Sequence, residues 1–246
     1  MTTTPVGMRC PECGRQRTKV KRVRDVTTMP RATYALVLMN VVAFFAEQGQ
    51  FTLFGTSIHG KVIEEGVLDR FDIAVNHQYW RLITAGFLHE NLIHIGFNMY
   101  LLYLLGMMLE PTIGSARFAT IYVTALLAGS FGALLATAAP SLGASGAVFG
   151  LMGAAAVELR ARRLSIMQSG IGGLILINLV FSFSLANISV GAHVGGLIGG
   201  ALAAAALRFA GERKTPALGY VICVALCAIA IAASLAAAEA TGGGFA

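Results

Sequence analysis

FATIYVTALLAGSFGALLATAAPSLGASGAVFGLMGAAAV, residues Phe118 to Val157, runs for 40 positions without an Asp, Glu, Lys or Arg. A second such stretch, Leu164 to Leu207, runs for 44. Neither suits a water-soluble domain, where the outer face of each helix carries charge. A helix crosses the ~30 Å hydrocarbon core of a bilayer in ~20 apolar residues. Each stretch therefore holds two crossings, turned at Ala139-Pro140-Ser141 and at Asn187 to Gly191. The whole chain agrees: of 246 residues, 56% are hydrophobic and 12% charged, and the mean hydropathy is +0.72. Disorder, a collagen-like repeat and a disulfide scaffold are excluded, and an all-α integral membrane protein, a polytopic helix bundle, is predicted.

Cutting the chain at charges and at Gly/Pro clusters gives seven apolar segments: Thr33 to Glu47, Leu82 to Leu109, Arg117 to Ala138, Ser145 to Val157, Gly170 to Ser189, Ala192 to Leu207 and Ala217 to Ala238. With the amino terminus in the cytoplasm, 15 of the 18 Lys and Arg fall on that side, leaving Lys61, Arg70 and Arg81 on the other. The positive-inside bias thus predicts a cytoplasmic amino terminus and an external carboxyl terminus. It also explains the net charge of +6, so a lipid bilayer rather than nucleic acid is the expected partner. Residues 1–31 read as a basic cytoplasmic tail, 32–209 as a six-helix core, and 210–246 as a linker and seventh helix. The external loop, residues 48–81, is unusually apolar. Its Tyr79 and Trp80 rings are expected near headgroup depth.

Polar side chains inside lipid are expensive, so each calls for a reason. Depth follows from a rise of ~1.5 Å per residue, counted from Glu158, Arg208 and Glu110 where three helices reach the cytoplasmic face. Ser145 then lies ~20 Å up, His193 ~22 Å, His94 ~24 Å and Asn98 ~18 Å. Three separate segments place these four side chains in one layer. The fourth segment is also too short to span, so Ser145 begins a helix inside the membrane. Such a start offers free N–H groups and a positive dipole end. The non-helical residues from Ala139 to Ala144 are tolerable only where protein or a water-filled cavity surrounds them.

Plainer readings exist for each. Ser145 lies in Gly143-Ala-Ser-Gly146, with Gly150 and Gly153 beyond, and small residues at this spacing serve close helix packing. His193, in Gly191-Ala-His-Val-Gly195-Gly196, suits an interhelical hydrogen bond. The glycines of both segments would also let their backbones approach, bringing Ser145 and His193 within bonding reach. His94 and Asn98, four apart, share a helix face and both donate hydrogen bonds, as an oxyanion hole requires. A metal on His94 and His193 would lack a carboxylate at that depth. A Glu90-His94-Ser145 triad is the rival arrangement, and His89, at the outer boundary, reads as structural.

Together these residues resemble the rhomboid family of intramembrane serine proteases. Gly143-Ala-Ser-Gly-Ala-Val-Phe-Gly150 is similar to its nucleophile motif, Ala192-His193 with Gly196 and Gly200 to its histidine motif, and His89, His94 and Asn98 to its helix 2 pattern. Trp80-Arg81 is similar to the Trp-Arg pair of its external loop, and the last helix to the six-plus-one form. The resemblance implies Ser145 as nucleophile and His193 as general base. It implies an oxyanion hole of His94, Asn98 and the Ser145 N–H, with Phe149 against the histidine ring and Gly143, Gly146, Trp80 and Arg81 in support. It implies endopeptidase action on transmembrane proteins without a cofactor. A catalytically inactive helix binder is the main alternative; a transporter or channel would favour paired broken helices and an ionisable pathway.

Cys10-Pro-Glu-Cys13 is similar to one knuckle of a zinc ribbon. Zinc needs four ligands, and Cys223 and Cys227 lie in the last helix, so the pair supplies half a site at most.

Overall fold

The computed structural model describes residues 2–4, 7–9, 29–47, 60–137, 139–184 and 189–242. Cys10 and Cys13, the first part of the external loop, and Asn187 and Ile188 of the Asn187 to Gly191 turn lie outside them. Two three-residue strands, β1 (Thr2–Thr4) and β2 (Gly7–Arg9), pair antiparallel. Among the described residues all other regular elements are helices. α1 is Arg31–Glu47, followed by the short α2 (Lys61–Gly66), α3 (Arg70–Ala74) and α4 (Arg81–Thr84) of the external loop. Then come α5 (Leu92–Ile113), α6 (Ser115–Ala136), α7 (Ser145–Ala161), α8 (Ile171–Ser184), α9 (Val190–Glu212) and α10 (Pro216–Gly242). Four of these, α5, α6, α9 and α10, are long and apolar enough to span a bilayer. α1, α7 and α8 are shorter, with 17, 17 and 14 residues.

The second predicted segment differs from expectation. Leu82 to Leu109 is largely apolar, yet only Leu92 onward forms the long helix; ahead of it lie α4, a 3-10 turn at Ala85–Phe87 and a short connection. The break is made by Asn91, extended at the N-cap, whose side chain accepts a bond from the His94 N–H. The fourth segment runs one turn further than its charges suggested. Glu158 and Arg160 continue α7 to Ala161, because at this end Glu158 meets Arg208 at 3.4 Å.

α7 is the centre of the bundle. Its residues Gly146 to Ala155 are all buried, as in a helix enclosed on every side. α9 packs on α6 and α7, α10 on α6 and α9, α1 on α5, and α8 on α7 and α9. The close core rests on glycine. A methyl group at Gly150 would strike Ala125 of α6 and lie 2.8 Å from the Gly196 carbonyl, one at Gly196 would strike the Gly146 carbonyl, and one at Gly200 would strike Gly150. Without side chains between them, these backbones reach van der Waals contact.

The non-helical entry to α7 is held by the external loop. Leu68 and Ser141 exchange both backbone hydrogen bonds at 3.0 Å, and the Gly143 N–H donates to Ala85 O at 2.9 Å. These bonds satisfy polar backbone that lipid could not. Arg81 organises the loop behind them. It is 3% exposed, pairs with Asp72 at 2.7 Å, and donates to Val67 O at 2.7 Å and to Gln78 Oε1 at 2.8 Å. Trp80 stays half-exposed, its indole N–H on Glu65 O at 3.1 Å. Arg70 bonds Leu134 O and Thr137 O, closing the end of α6.

At the opposite end, buried Glu110 ties α1 to α5. Its carboxylate accepts from the Ala32 and Thr33 N–H groups at 2.8 Å, the Thr33 hydroxyl at 2.6 Å and the Ser115 hydroxyl at 2.5 Å. Four donors on one anion, two of them from a helix start, leave several groups unpaired if the carboxylate is lost. Glu110→Ala is expected to cost about 2–4 kcal/mol. Thermal unfolding in detergent would show it as a midpoint lowered by about 5–15 °C.

Candidate active site

Ser145 is the first residue of α7, and no side chain caps that start: the N-cap, Ala144, is near-helical at φ −69° and ψ −5°. The first-turn N–H groups therefore have no intrahelical carbonyl ahead of them. Gly143 shapes the approach with φ +121°, a left-handed value that glycine adopts without strain. A Cβ there would lie 2.8 Å from His94 Nε2 and 3.7 Å from Ser145 Oγ, so the missing methyl is what lets the His94 ring close over the entry to α7.

The decisive contact spans α7 and α9. His193 Nε2 lies 2.8 Å from Ser145 Oγ, across 48 residues of sequence. His193 is 6% exposed, and the Phe149 ring, one turn after Ser145, stacks on it at 4.2 Å between centroids and 16° between planes. Its other ring nitrogen, Nδ1, lies 2.5 Å from the Ser182 hydroxyl of α8. Ser189 caps α9 by accepting from the Ala192 N–H at 3.2 Å, which fixes the turn that presents His193. On α5, the Asn98 side-chain amide donates to His94 O at 3.1 Å, keeping both residues on one face.

The comparison with known proteins follows this geometry. The Rhomboid domain matches residues 76–209, over half of the chain and both partners of the Ser145–His193 contact. The chain belongs to the rhomboid family. It is thus a multi-pass helical membrane protein. It is 34% identical over 206 residues to the Rhomboid protease GluP of Bacillus subtilis (strain 168), covering 82% of this chain and 39% of that one. It is 37% identical over 145 residues to RHOMBOID-like protein 6, mitochondrial, of Arabidopsis thaliana, with 55% and 46% covered. It is also 34% identical over 129 residues to the Inactive RHOMBOID-like protein 8 of that plant, with 50% and 36% covered. The chain spans less than half the length of each of these three relatives.

Within this rhomboid, the residues singled out by sequence divide in two. Ser145, His193, Phe149, Gly143 and His94 converge, with Asn98 one turn below His94 and Gly146 packed against α6 and the Ala192 carbonyl. Trp80 and Arg81 instead bond to the external loop, which braces the entry to α7. The histidine bonded to Ser145 is His193, so the Glu90-His94-Ser145 arrangement is not the one formed at the serine. Ser182 is the site residue that sequence reading missed. It is one of three polar residues in the apolar α8, four positions after Asn178 and two before Ser184, and the Asn178–Ser182 spacing is the one signal that sets it on a face with another polar residue. Among the described residues no three His, Cys, Asp or Glu side chains cluster as metal ligands would.

His89, in the connection ahead of α5, packs edge-on against His94 at 5.1 Å. Burial holds its imidazole at about 3, the nearby His94 adds to the lowering, and its bond to Phe87 O works the other way. The ring is therefore neutral when folded but takes a proton below about 6.5 when unfolded. The resulting stability is complete above about pH 6.5 and is lost as pH falls from there toward about 3. The unfolding midpoint in detergent is expected to drop across that window, and the curve of His89→Gln to be flatter there.

Proposed function

We propose that this chain is an intramembrane serine endopeptidase that hydrolyses peptide bonds in or near transmembrane segments of membrane proteins. The observation that carries the reading is the 2.8 Å contact between His193 Nε2 and Ser145 Oγ. A serine hydroxyl is a weak nucleophile until a base lies within hydrogen-bond reach. Ser145 Oγ attacks the peptide carbonyl carbon while His193 Nε2 takes its proton. The tetrahedral oxyanion is held by the Ser145 N–H, by His94, and by the Asn98 amide. His193 then gives the proton to the leaving amine, and a water, deprotonated by the same nitrogen, releases the acyl group from Ser145. General base assistance contributes about 10²–10⁴-fold and an oxyanion donor about 10²–10³-fold.

Supporting features surround this pair. Stacked Phe149 fixes the plane of the His193 ring, and the glycine contacts of α7 with α9 set the spacing. The Rhomboid protease GluP bears the activity in its name. In this reading the site opens to the external side, residues 1–31 face the cytoplasm, and residues 32–209 form the protease core. The substrate must expose an unwound carbonyl, because an intact helix hides its carbonyls in its own hydrogen bonds.

The inactive relative supplies the competing reading, a rhomboid that holds transmembrane helices without cutting them. Labelling with a fluorophosphonate in detergent separates the two. Wild type is expected to label, and Ser145→Ala and His193→Ala to lose both labelling and cleavage of a reconstituted single-pass substrate by about 10³-fold or more. Glu90→Ala is expected to retain both. A folded wild type that never labels would favour the inactive binder, and a Glu90→Ala protein as inert as Ser145→Ala would favour the rival triad.

A further inference from the structure

The contact at His193 Nδ1 contains more information than its length. Ser182 Oγ is 2.5 Å from that nitrogen and 2.7 Å from the carbonyl oxygen of Asn178, one turn earlier on α8. Ser182 is 2% exposed, so the arrangement is shielded from bulk solvent. A hydroxyl has one proton, and a carbonyl can only accept. The Ser182 O–H must therefore donate to Asn178 O, since the opposite orientation would set two bare oxygens against each other at 2.7 Å. The Ser182 lone pair that remains faces His193 Nδ1, which must then carry the hydrogen. In a neutral imidazole this leaves Nε2 bare, and Nε2 is the atom that faces Ser145 Oγ at 2.8 Å.

We infer that Ser182 is a positioning residue for His193, holding its ring in the Nδ1–H tautomer so that Nε2 is free to take the Ser145 proton. The inference rests on the protease reading above. The donors run in one direction: Ser145 O–H to Nε2, Nδ1–H to Ser182 Oγ, Ser182 O–H to the α8 backbone. When Nε2 accepts a proton, the ring becomes a cation and the Nδ1–H···Oγ bond becomes charge-assisted and stronger. The hydroxyl thus does, with a neutral group, what a buried carboxylate does in a three-residue site: it selects a tautomer and steadies the charged ring. Phe149 restrains the face of the ring and Ser182 its edge, so a third helix completes the geometry of a contact whose two partners lie elsewhere.

Two measurements test this. In purified protein carrying 15N-labelled histidine at pH about 8, where imidazole is neutral, the His193 signals, assigned by their absence in His193→Gln, are expected to show a protonated Nδ1 and a bare Nε2. Ser182→Ala is expected to turn this into a mixture of tautomers. A wild-type ring protonated at Nε2, or a tautomer unchanged in Ser182→Ala, would overturn the assignment whether or not the protein cleaves anything. In parallel, Ser182→Ala is expected to lower kcat about 10- to 100-fold with KM changed less than about threefold, and Ser182→Thr, which restores the hydroxyl, to recover most of it. Equal losses in both variants, tracking a lowered unfolding midpoint, would mean Ser182 only packs. Failure of wild type to label with fluorophosphonate would sink the protease reading and leave the tautomer measurement to decide Ser182.

Discussion

Where α7 meets α9, a methyl group on Gly196 would strike the backbone of Gly146, and one on Gly200 the backbone of Gly150. In lipid there is no hydrophobic gain in pressing two apolar helices together, so close backbone contact and the dispersion it brings must do the joining. That contact sets the distance between two helix starts, Ser145 on one and Ser189 with His193 a turn later on the other. Every other feature of the site presupposes it. Phe149 can stack on His193 only because the helix that bears it is already flush with α9. Gly129 and Gly132 of α6 extend the same principle to a third helix, lying against Gly146 and against Gly191 and Gly195.

Such packing leaves a problem at the ends. α7 begins partway through the bundle, and the strand of chain that leads into it has polar backbone where lipid can offer nothing. The external loop supplies the missing partners, Leu68 to Ser141 and Ala85 to Gly143. It is itself anchored by the buried guanidinium of Arg81 on Asp72, Gln78 and Val67. The loop and the turn into α7 are thus one hydrogen-bonded unit, although the bonded residues lie 58 and 73 positions apart along the chain. Glu110 performs the equivalent service at the other end, where the start of α1 would otherwise be unsatisfied.

Much of this was legible in the residues. Uncharged stretches marked the helices, and the rise per residue alone set Ser145, His193, His94 and Asn98 in one layer before any contact was known. What escaped had a physical reason in each case. The break before α5 carries no cluster of charges or prolines; it depends on one Asn91 side chain bonding the His94 N–H, a choice that hydropathy does not register. The length of α7 was underestimated because Glu158 looks like a terminus until Arg208 is placed beside it. Arg81 looked like a companion of the site, and only its burial against Asp72 shows it to be the hub of the loop. Ser182 carried only a weak signal, its spacing from Asn178, because serine back-bonding to its own helix is common in apolar segments. Which way such a hydroxyl turns its lone pair is decided by tertiary packing.

The order of these elements along the chain has a consequence for how the protein is made. Ser145 leaves the ribosome 48 residues ahead of His193 and well ahead of Ser182. Until α9 has entered the bilayer and seated its glycines on α7, the serine has no base beside it and is chemically an ordinary alcohol. A nascent chain, or one stalled between the two helices, holds the serine without its histidine partner. The Ser145–His193 contact arrives only with the completed fold.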